Sequence, residues 1–251
     1  MTNILLNGCN GRMGQAIVSI AEGKETCKIV CGVDIAAKEQ TEFPVYTSFD
    51  QIPDDMPIDV IIDFSHFSTL PKLAAFAEQR RIPSVICTTG FSPEDIEKIH
   101  QLSKKIAVFR SANMSVGICL LKNLVKRAAA FLGDEYDIEI VERHHNQKLD
   151  APSGTALAIA DAINEADNNK FEYIYDRHSR SAKRGKHEIG ISAVRGGNIV
   201  GDHDVIFAGN NEIIEINHRA LSRNIFAEGA IRAAIYLKSK PAGLYDMDKM
   251  V

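Results

Sequence analysis

The sequence predicts an α/β fold with a parallel sheet, followed by a second domain of α+β type. Up to about residue 110, short β-branched runs alternate with stretches of helical spacing, which is typical of a parallel sheet covered by helices. After residue 114 the pattern changes to one long helix and several strand-like runs broken by glycines, which favours antiparallel pairing. The last stretch returns to an alanine-rich helix, which can cross back to cover the first sheet.

In the first part, five strands and three helices are predicted in alternation. The strands are Asn3–Asn7, Lys28–Asp34, Asp59–Phe64, Pro83–Cys87 and Ile106–Phe109. The helices are Gly14–Ala21, Pro71–Gln79 and Pro93–Lys104. Ser92 is the expected cap of the third helix, with Pro93 at its first position. Because the carboxyl ends of parallel strands meet at one edge of a sheet, binding groups are expected there.

The second part is predicted to begin with the helix Gly117–Phe131 and the strand Tyr136–Glu142. The further elements are the helix Thr155–Asn164, strand-like runs from Glu188 to Asn217, and the final helix Asn224–Tyr236. We therefore expect a discontinuous first domain, residues 1–114 and 222–251, and a second domain, residues 115–221.

Composition excludes several classes of protein. The chain has 251 residues, 45% of them hydrophobic, and a formal charge of −4, which gives no attraction to nucleic acid or to an anionic membrane. No apolar run approaches the roughly 18 residues that cross a bilayer, and no basic leader precedes the first strand. The five cysteines are odd in number and lack CxxC spacing, which disfavours a disulfide framework and a zinc site. A cytoplasmic protein without metal, nucleic-acid or membrane partners is expected.

A glycine-rich turn joins the first strand to the first helix. Gly8, Gly11 and Gly14 are three residues apart, so the backbone can turn tightly and approach a phosphate at the helix start. Such a turn can also be purely structural. Asp34, which ends the second strand near the expected spacing of about 20 residues, favours a Rossmann-like dinucleotide site because an acid there binds ribose hydroxyls. The predicted cofactor residues of this region are Gly8, Cys9, Asn10, Gly11, Arg12, Met13 and Asp34.

Two further loops follow the fourth and fifth strands at the same sheet edge. They contribute the candidate cofactor residues Cys87, Thr88, Thr89, Ser111, Ala112, Asn113 and Met114. The cofactor is predicted to be NADH and/or NADPH. Ile35 follows Asp34 where an arginine would help to bind a 2′-phosphate, which favours NADH, although the nearby Lys38 keeps NADPH open.

The segment from His144 to Thr155 carries the candidate chemistry. His144 and Lys148 suit proton transfer near neutral pH, and Ser153-Gly154-Thr155 opens a helix whose unpaired N–H groups attract an anion. Asp150 to Ser153 can equally be a simple helix-capping turn. A metal site formed by both histidines with Glu142 and Asp150 is disfavoured, because neighbouring residues on a strand point to opposite faces.

The run from Glu142 to Ala156, with its HHxxKxDAPSGT core, closely resembles the signature of the dihydrodipicolinate reductase family. Other matching stretches follow in the family's order through nearly the whole chain: Gly8–Gly14, Thr88–Phe91, Asn113–Gly117 and Arg195–His203. The resemblance implies NAD(P)H-dependent reduction of the dicarboxylate 4-hydroxy-tetrahydrodipicolinate to tetrahydrodipicolinate, with loss of water, in lysine and diaminopimelate biosynthesis. It also implies a homotetramer whose second domain serves in substrate binding and oligomerisation.

The resemblance assigns roles to the chemical segment. His144 is implied as proton donor or acceptor and Lys148 as proton donor, while His145 contacts the substrate and Gly154 and Thr155 hold a substrate carboxylate. The three loops described above are implied to hold the cofactor. Two departures from the family's pattern are Cys87, where glycine is common, and Ile35, where some members carry arginine.

Some features leave other interpretations open. The basic run Arg177–His187 is either a solvated loop or a mobile flap that draws in a dianionic substrate. His203 and His218 are expected to satisfy hydrogen bonds of turns or strands. The rival functions are a non-catalytic dinucleotide-binding redox sensor, which leaves the His144–Lys148 segment without a role, and a reductase of another small carboxylate.

Overall fold

The structure is a computed structural model and describes residues 1–35, 42–178 and 181–250. Lys38 and Arg180 therefore lie outside the described residues. Contacts within the chain divide it into a first unit, Met1–Ser115 with Arg223–Val251, and a second unit, Val116–Ser222.

The first unit is built around a seven-stranded sheet in which every described pairing is parallel. Its strands are β1 (Thr2–Asn7), β2 (Cys27–Val33), β3 (Val45–Tyr46), β4 (Val60–Asp63), β5 (Ser84–Ile86), β6 (Ala107–Arg110) and β12 (Gly243–Tyr245). Its helices are α1 (Arg12–Glu22), α2 (Leu70–Arg80), α3 (Pro93–Ser103), α6 (Asn224–Leu237) and α7 (Met247–Met250). The strand order is β12-β6-β5-β4-β1-β2-β3.

This arrangement confirms the predicted Rossmann-like sheet. β4 reads as a continuous apolar run because it is buried on both faces, as expected for a central parallel strand. Ser92 caps α3 as predicted, since its hydroxyl accepts a hydrogen bond from Asp95 N. The last long helix, α6, packs against β4 and β5, as the sequence predicts. The short edge strands β3 and β12 were not predicted, because two or three residues carry no periodicity.

The second unit contains a five-stranded sheet with the order β11-β10-β7-β9-β8. Its strands are β7 (Asp137–His144), β8 (Glu172–Ile174), β9 (Glu188–Arg195), β10 (Gly201–Ala208) and β11 (Ile213–Ala220), and its helices are α4 (Val116–Leu132) and α5 (Gly154–Ala166). The expected preference for antiparallel pairing is only half correct. β10 pairs antiparallel with β7 and β11, but β9 pairs parallel with β7 and β8, so the sheet is mixed.

Two arginines of the basic run Arg177–His187 are hydrogen-bonded to the second sheet. Arg177 donates to Glu139 and Glu188 at 2.7 and 2.8 Å, and Arg184 donates to the carbonyl oxygen of Ile138 at 3.0 Å. Arg184 also pairs with Glu139. These two arginines therefore fasten the segment to β7. The exposed Lys183 and Lys186 agree with a solvated loop, and the mobile flap stays a prediction.

Among the helices of the described residues, none combines the length and the apolar character that crossing a membrane requires.

Candidate active site

The turn between β1 and α1 has the backbone geometry of a phosphate-binding loop. Gly8 has φ +80°, a left-handed conformation that favours glycine, and a Cβ there would lie 2.7 Å from the carbonyl oxygen of Phe64. A Cβ on Gly14 would lie 2.3 Å from the carbonyl oxygen of Gly8, so glycine lets the helix approach the turn. No side chain caps α1, and no acid lies in its first turn. Its N-terminal N–H groups therefore suit an anion.

Asp34 follows β2 and faces this turn. Its carboxylate accepts a hydrogen bond of 2.9 Å from Asn10 N, which fixes one of its oxygens beside the glycine loop. A cavity of about 500 Å³ opens here and is lined by residues of the glycine loop, of the end of β2 and of the segments after β3 and β4: Asn7, Gly8, Asn10, Gly11, Val33, Asp34, Ile35, Thr47, Ser48, Phe49, Phe64, Ser65, His66, Thr69 and Lys72. Its size and lining fit the adenosine half of a nicotinamide dinucleotide.

The other predicted cofactor residues lie outside the wall of this cavity. The side chain of Cys9 is buried beneath the turn, while Arg12 and Met13 are the first residues of α1. Cys87, Thr88 and Thr89 follow β5, where the first two are buried and the third is exposed. Ser111, Ala112, Asn113 and Met114 follow β6, where Met114 is buried and the hydroxyl of Ser111 donates to the carbonyl oxygen of Asn113. All of these loops leave the same edge of the sheet as the glycine turn, because the strands are parallel.

Sequence reasoning missed a buried carboxylate at this edge. Asp63 ends β4, is 2% exposed, and accepts hydrogen bonds from Asn7, Ser65 and Thr88. Burial raises the pKa of Asp63, and these hydrogen bonds only partly offset that effect. The carboxylate thereby ties together the carboxyl ends of β1, β4 and β5. An acid closing an otherwise apolar buried strand was the available signal.

The centre of the second unit is the inward face of β7. Its even-numbered residues are the buried ones: Ile138, Ile140, Glu142 and His144. Glu142 is 0% exposed, and its carboxylate accepts four hydrogen bonds. Burial favours a higher pKa for Glu142, but the hydrogen bonds from Arg195, His144 and the N–H of Ser153 outweigh it, so the pKa is lowered. This buried group is therefore a carboxylate at neutral pH.

Strand register brings two more polar side chains to this face. Arg195 lies opposite His144 on β9, and His203 lies opposite Glu142 on β10. The ring of His203 meets the ring of His144 edge-on, with 5.3 Å between their centroids, and its Nε2 lies 3.3 Å from the hydroxyl oxygen of Ser153. The expectation that His203 merely satisfies strand hydrogen bonds is therefore incomplete, because it packs directly against the predicted proton-transfer residue. Arg195 and Glu142 were not predicted as site residues.

The buried position of His203 leads to a prediction about stability. Burial, reinforced by neighbouring His144, lowers the pKa of His203 to about 4. The pKa of this histidine in the unfolded chain is about 6.5. Between about pH 6.5 and pH 4, the unfolded chain therefore binds a proton that the folded chain does not, and the free energy of unfolding decreases as pH falls. We expect its contribution to drop by about 2 kcal/mol between about pH 8 and pH 5. Denaturant unfolding of the native protein and of His203→Gln at both pH values measures the difference; equal pH slopes would contradict the prediction.

The turn between β7 and α5 carries the remaining predicted residues. The ammonium of Lys148 lies 2.9 Å from the carboxylate of Asp150, and the pKa of Asp150 is lowered chiefly by this contact. His145 is half-buried at the start of the turn, and its carbonyl oxygen accepts from Lys148 N at 3.2 Å. The turn thus places a cation a few residues before a helix N-terminus.

The three predicted residues at the start of α5 have different surroundings. Ser153 is 1% exposed and is the N-cap of the helix, accepting a hydrogen bond of 3.1 Å from Ala156 N. Its hydroxyl is therefore bound within the protein, and the substrate contact expected of Ser153 stays a prediction. Gly154 is exposed and Thr155 is half-buried, at the positive end of the helix dipole. The dipole favours an anion here, and the carboxylate of Asp150 accepts a backbone hydrogen bond from Gly154.

A search of residues 1–35, 42–178 and 181–250 finds no group of three or more His, Cys, Asp or Glu side chains arranged to hold a metal ion.

Comparisons with known proteins cover the whole chain. Residues 2–114 match the family model described as dihydrodipicolinate reductase, N-terminus, and residues 117–251 match the one described as dihydrodipicolinate reductase, C-terminus. The chain is 47% identical over 251 residues to the 4-hydroxy-tetrahydrodipicolinate reductase of Clostridium tetani, covering 100% of this chain and 97% of that protein. It is 49% identical over 251 residues to the enzyme of the same name from Caldanaerobacter subterraneus, covering 100% and 98%.

A solved structure shares the fold along the full length. The dipicolinate-bound dihydrodipicolinate reductase of Paenisporosarcina sp. TG-14 superposes with a TM-score of 0.82 at 24% identity, covering 100% of both chains.

Proposed function

The chain belongs to the dihydrodipicolinate reductase family, and from that premise we propose that it reduces 4-hydroxy-tetrahydrodipicolinate to tetrahydrodipicolinate. The reaction consumes one hydride and one proton and releases one water, as a step of lysine and diaminopimelate biosynthesis. Among the structural observations, the one that carries the proposal is the segment from His144 to Thr155. It combines an imidazole held by a buried carboxylate, a paired ammonium and an exposed helix N-terminus within 12 residues.

NADH or NADPH supplies the hydride. The glycine turn fits the cofactor because its backbone at Gly8 leaves no room for a side chain, and because the first N–H groups of α1 have no capping side chain. We assign the pyrophosphate to Gly8–Met13 and the adenosine ribose to Asp34. The loops after β5 and β6, residues 87–89 and 111–114, hold the nicotinamide half, because they follow along the same sheet edge in strand order.

Residues of the second unit handle the substrate and its proton. The start of α5 at Gly154 and Thr155 holds one substrate carboxylate, since the positive end of the helix dipole favours an anion there. His145 contacts the substrate from the start of the turn. His144 and Lys148 exchange the proton that accompanies hydride transfer and water loss, because each carries a transferable N–H. Orientation of the substrate by these groups lowers the entropic part of the barrier.

A direct assay tests the function. Substrate freshly made from aspartate semialdehyde and pyruvate is mixed with the protein and each reduced nicotinamide in turn, and the absorbance of the reduced cofactor is followed. We expect rapid oxidation that depends on substrate. No oxidation with either cofactor would favour a non-catalytic dinucleotide-binding protein.

Cofactor choice is predicted to depend on Asp34. Its carboxylate can accept hydrogen bonds from ribose hydroxyls and repels a 2′-phosphate, so Asp34→Asn should weaken NADH selectively. We expect the ratio of kcat/KM for NADH over NADPH to fall about tenfold, equivalent to about 1.4 kcal/mol. The exposed Asp55→Asn, outside the cavity wall, is the matched control and should leave the ratio unchanged.

The same measurement on Lys38→Ala isolates the contribution of Lys38. A strong NADPH preference that persists in Lys38→Ala would show that Asp34 and Ile35 do not set the choice.

The homotetramer remains a prediction of the family resemblance, and the cytoplasmic location remains a prediction from the sequence. Sedimentation of the purified protein over a range of concentrations tests the first, and fractionation of the source cells tests the second.

A further inference from the structure

We propose that Glu142 is a positioning residue for this reaction: its buried carboxylate holds His144 in the tautomer protonated at Nδ1. Nε2 is then the nitrogen that exchanges a proton with the substrate. This role rests on the proposed function for its kinetic consequences, whereas the tautomer itself belongs to the protein alone. Glu142 thereby has a role in the reaction, whereas sequence reasoning considered it only as a metal ligand.

The hydrogen bonds around Glu142 account for both carboxylate oxygens. Oε2 accepts from His144 Nδ1 at 2.6 Å and from Arg195 Nη1 at 2.7 Å. Oε1 accepts from Arg195 Nη2 at 2.8 Å and from Ser153 N at 2.9 Å. An ionised carboxylate has no proton to donate, so the ring nitrogen facing it must carry the hydrogen. The neutral ring of His144 therefore presents Nε2 as an acceptor, and the charged ring presents it as a donor.

The opposite edge of the His144 ring lies beside Gly201 at the start of β10. A Cβ on Gly201 would lie 3.0 Å from His144 Nε2, so glycine at this position avoids a side chain pressed against that nitrogen. Three titratable or charged groups face the ring from the described strands: Glu142 on β7, Arg195 on β9 and His203 on β10. His203 stays neutral near pH 7 because burial lowers its pKa to about 4, so no second imidazolium forms beside His144.

The same carboxylate also fixes the anion-binding turn. Arg195 Nη2 donates to the carbonyl oxygen of Asp150 at 2.7 Å, while Ser153 N donates to Glu142. One carboxylate and its arginine therefore hold both ends of the turn from 150 to 153 against the end of β7. This places the helix start at Gly154 in a defined position relative to His144. A carboxylate hydrogen-bonded to one ring nitrogen orients a reacting histidine and sets its tautomer.

A purely structural ion pair is the competing explanation. Buried pairs often add little net stability, and removing one partner is destabilising whether or not chemistry is involved. Loss of stability alone therefore decides nothing, and the test needs measurements that only positioning changes. Glu142→Gln is the variant of choice because it keeps the shape of the side chain while removing the charge. An amide NH2 group facing Nδ1 favours the opposite tautomer.

Glu139→Gln is the matched control. Glu139 lies on the same strand and likewise pairs with two arginines, Arg177 and Arg184, but it has no contact with His144 among those described. We expect Glu142→Gln to lower kcat by about 10²–10³-fold with the substrate KM changed by no more than a few-fold, as expected for loss of a tautomer-setting acid. The control should keep kcat within about twofold.

Nitrogen-15 correlation spectra of the histidine rings provide the readout that does not depend on activity. His144 is assigned from the spectrum of His144→Gln. In the native protein we expect the Nδ1–H tautomer for His144, changing to Nε2–H in Glu142→Gln and unchanged in Glu139→Gln. A native Nε2–H tautomer, or native kcat in a folded Glu142→Gln protein, would overturn the proposal.

These outcomes remain separable from failure of the proposed function. If the native protein shows no reductase activity, the proposed function fails while the native spectrum still tests the orientation of His144. If Glu142→Gln does not fold, Glu142→Asp provides a second variant that keeps the charge and moves it away from the ring. We expect Glu142→Asp to retain the native tautomer and a kcat between those of the native protein and Glu142→Gln, and the opposite tautomer in it would also overturn the proposal.

Discussion

Replacing His144 by alanine is expected to lower kcat by about 10²–10⁴-fold while the protein stays folded, the range usual for loss of a general acid or base. The physical reason is that the ring lies at the end of β7 with Nδ1 committed to Glu142 and with Nε2 facing the glycine at 201. The measurement is steady-state reductase activity, with circular dichroism to confirm folding.

His100→Ala serves as the control for this variant. His100 lies on α3 and is about half exposed, so its removal changes neither the site nor a buried contact. The control should keep native kcat. Native activity in a folded His144→Ala protein would remove His144 from the mechanism and would leave family membership untouched.

The second large effect is expected at Lys148, where alanine should lower kcat by about 10²–10⁴-fold. Its ammonium is the positive group of the turn and lies 2.9 Å from the carboxylate of Asp150, which also accepts a backbone hydrogen bond from Gly154 at the helix start. Loss of this group removes both a proton donor and a charge that favours the dianionic substrate. Activity measured over a range of substrate concentrations separates the effect on kcat from the effect on KM.

Two further variants decide what Lys148 contributes. Lys126→Ala breaks a surface ion pair with Glu165 in the same unit and should leave activity unchanged. Asp150→Asn breaks the pair of Lys148 while keeping the lysine. If Asp150→Asn reproduces the full loss in kcat, the ion pair rather than the lysine's proton is the important feature, and the assignment of Lys148 as proton donor is wrong.

Periodicity predicted the fold well where an element was long or uniformly apolar. β1, β4 and α6 each carry a pattern that a single window of sequence reveals, since the two strands are buried within the sheet and the helix is buried against it. β3 and β12 lie at the edges of the sheet and are too short to show the alternation of apolar and polar residues that predicts a strand. The mixed pairing of the second sheet also escaped prediction, because glycine-broken runs indicate strands but not their direction.

The candidate site was predicted where its residues are contiguous and missed where they are assembled by register. The segment from His144 to Thr155 is one stretch of chain, so its chemistry is visible in the sequence. Arg195 and His203 reach Glu142 only because β9 and β10 flank β7 at particular offsets. One clue was nevertheless present, since Glu142 occupies an inward position in line with Ile138 and Ile140. A charged residue there requires buried partners.

The discontinuity of the first unit has a consequence for the order in which the protein can assemble during synthesis. β12 is the last strand of that sheet and pairs with β6, and α6 packs against β4 and β5. Both come from residues beyond 222, so the last part of the first unit is synthesised after the second unit. The second unit, Val116–Ser222, is one uninterrupted stretch and is translated completely before α6 and β12 are synthesised. In vectorial folding, where domains fold as units, the segment that carries His144 and Lys148 is therefore available as a whole before the cofactor-binding sheet acquires its final strand and helix.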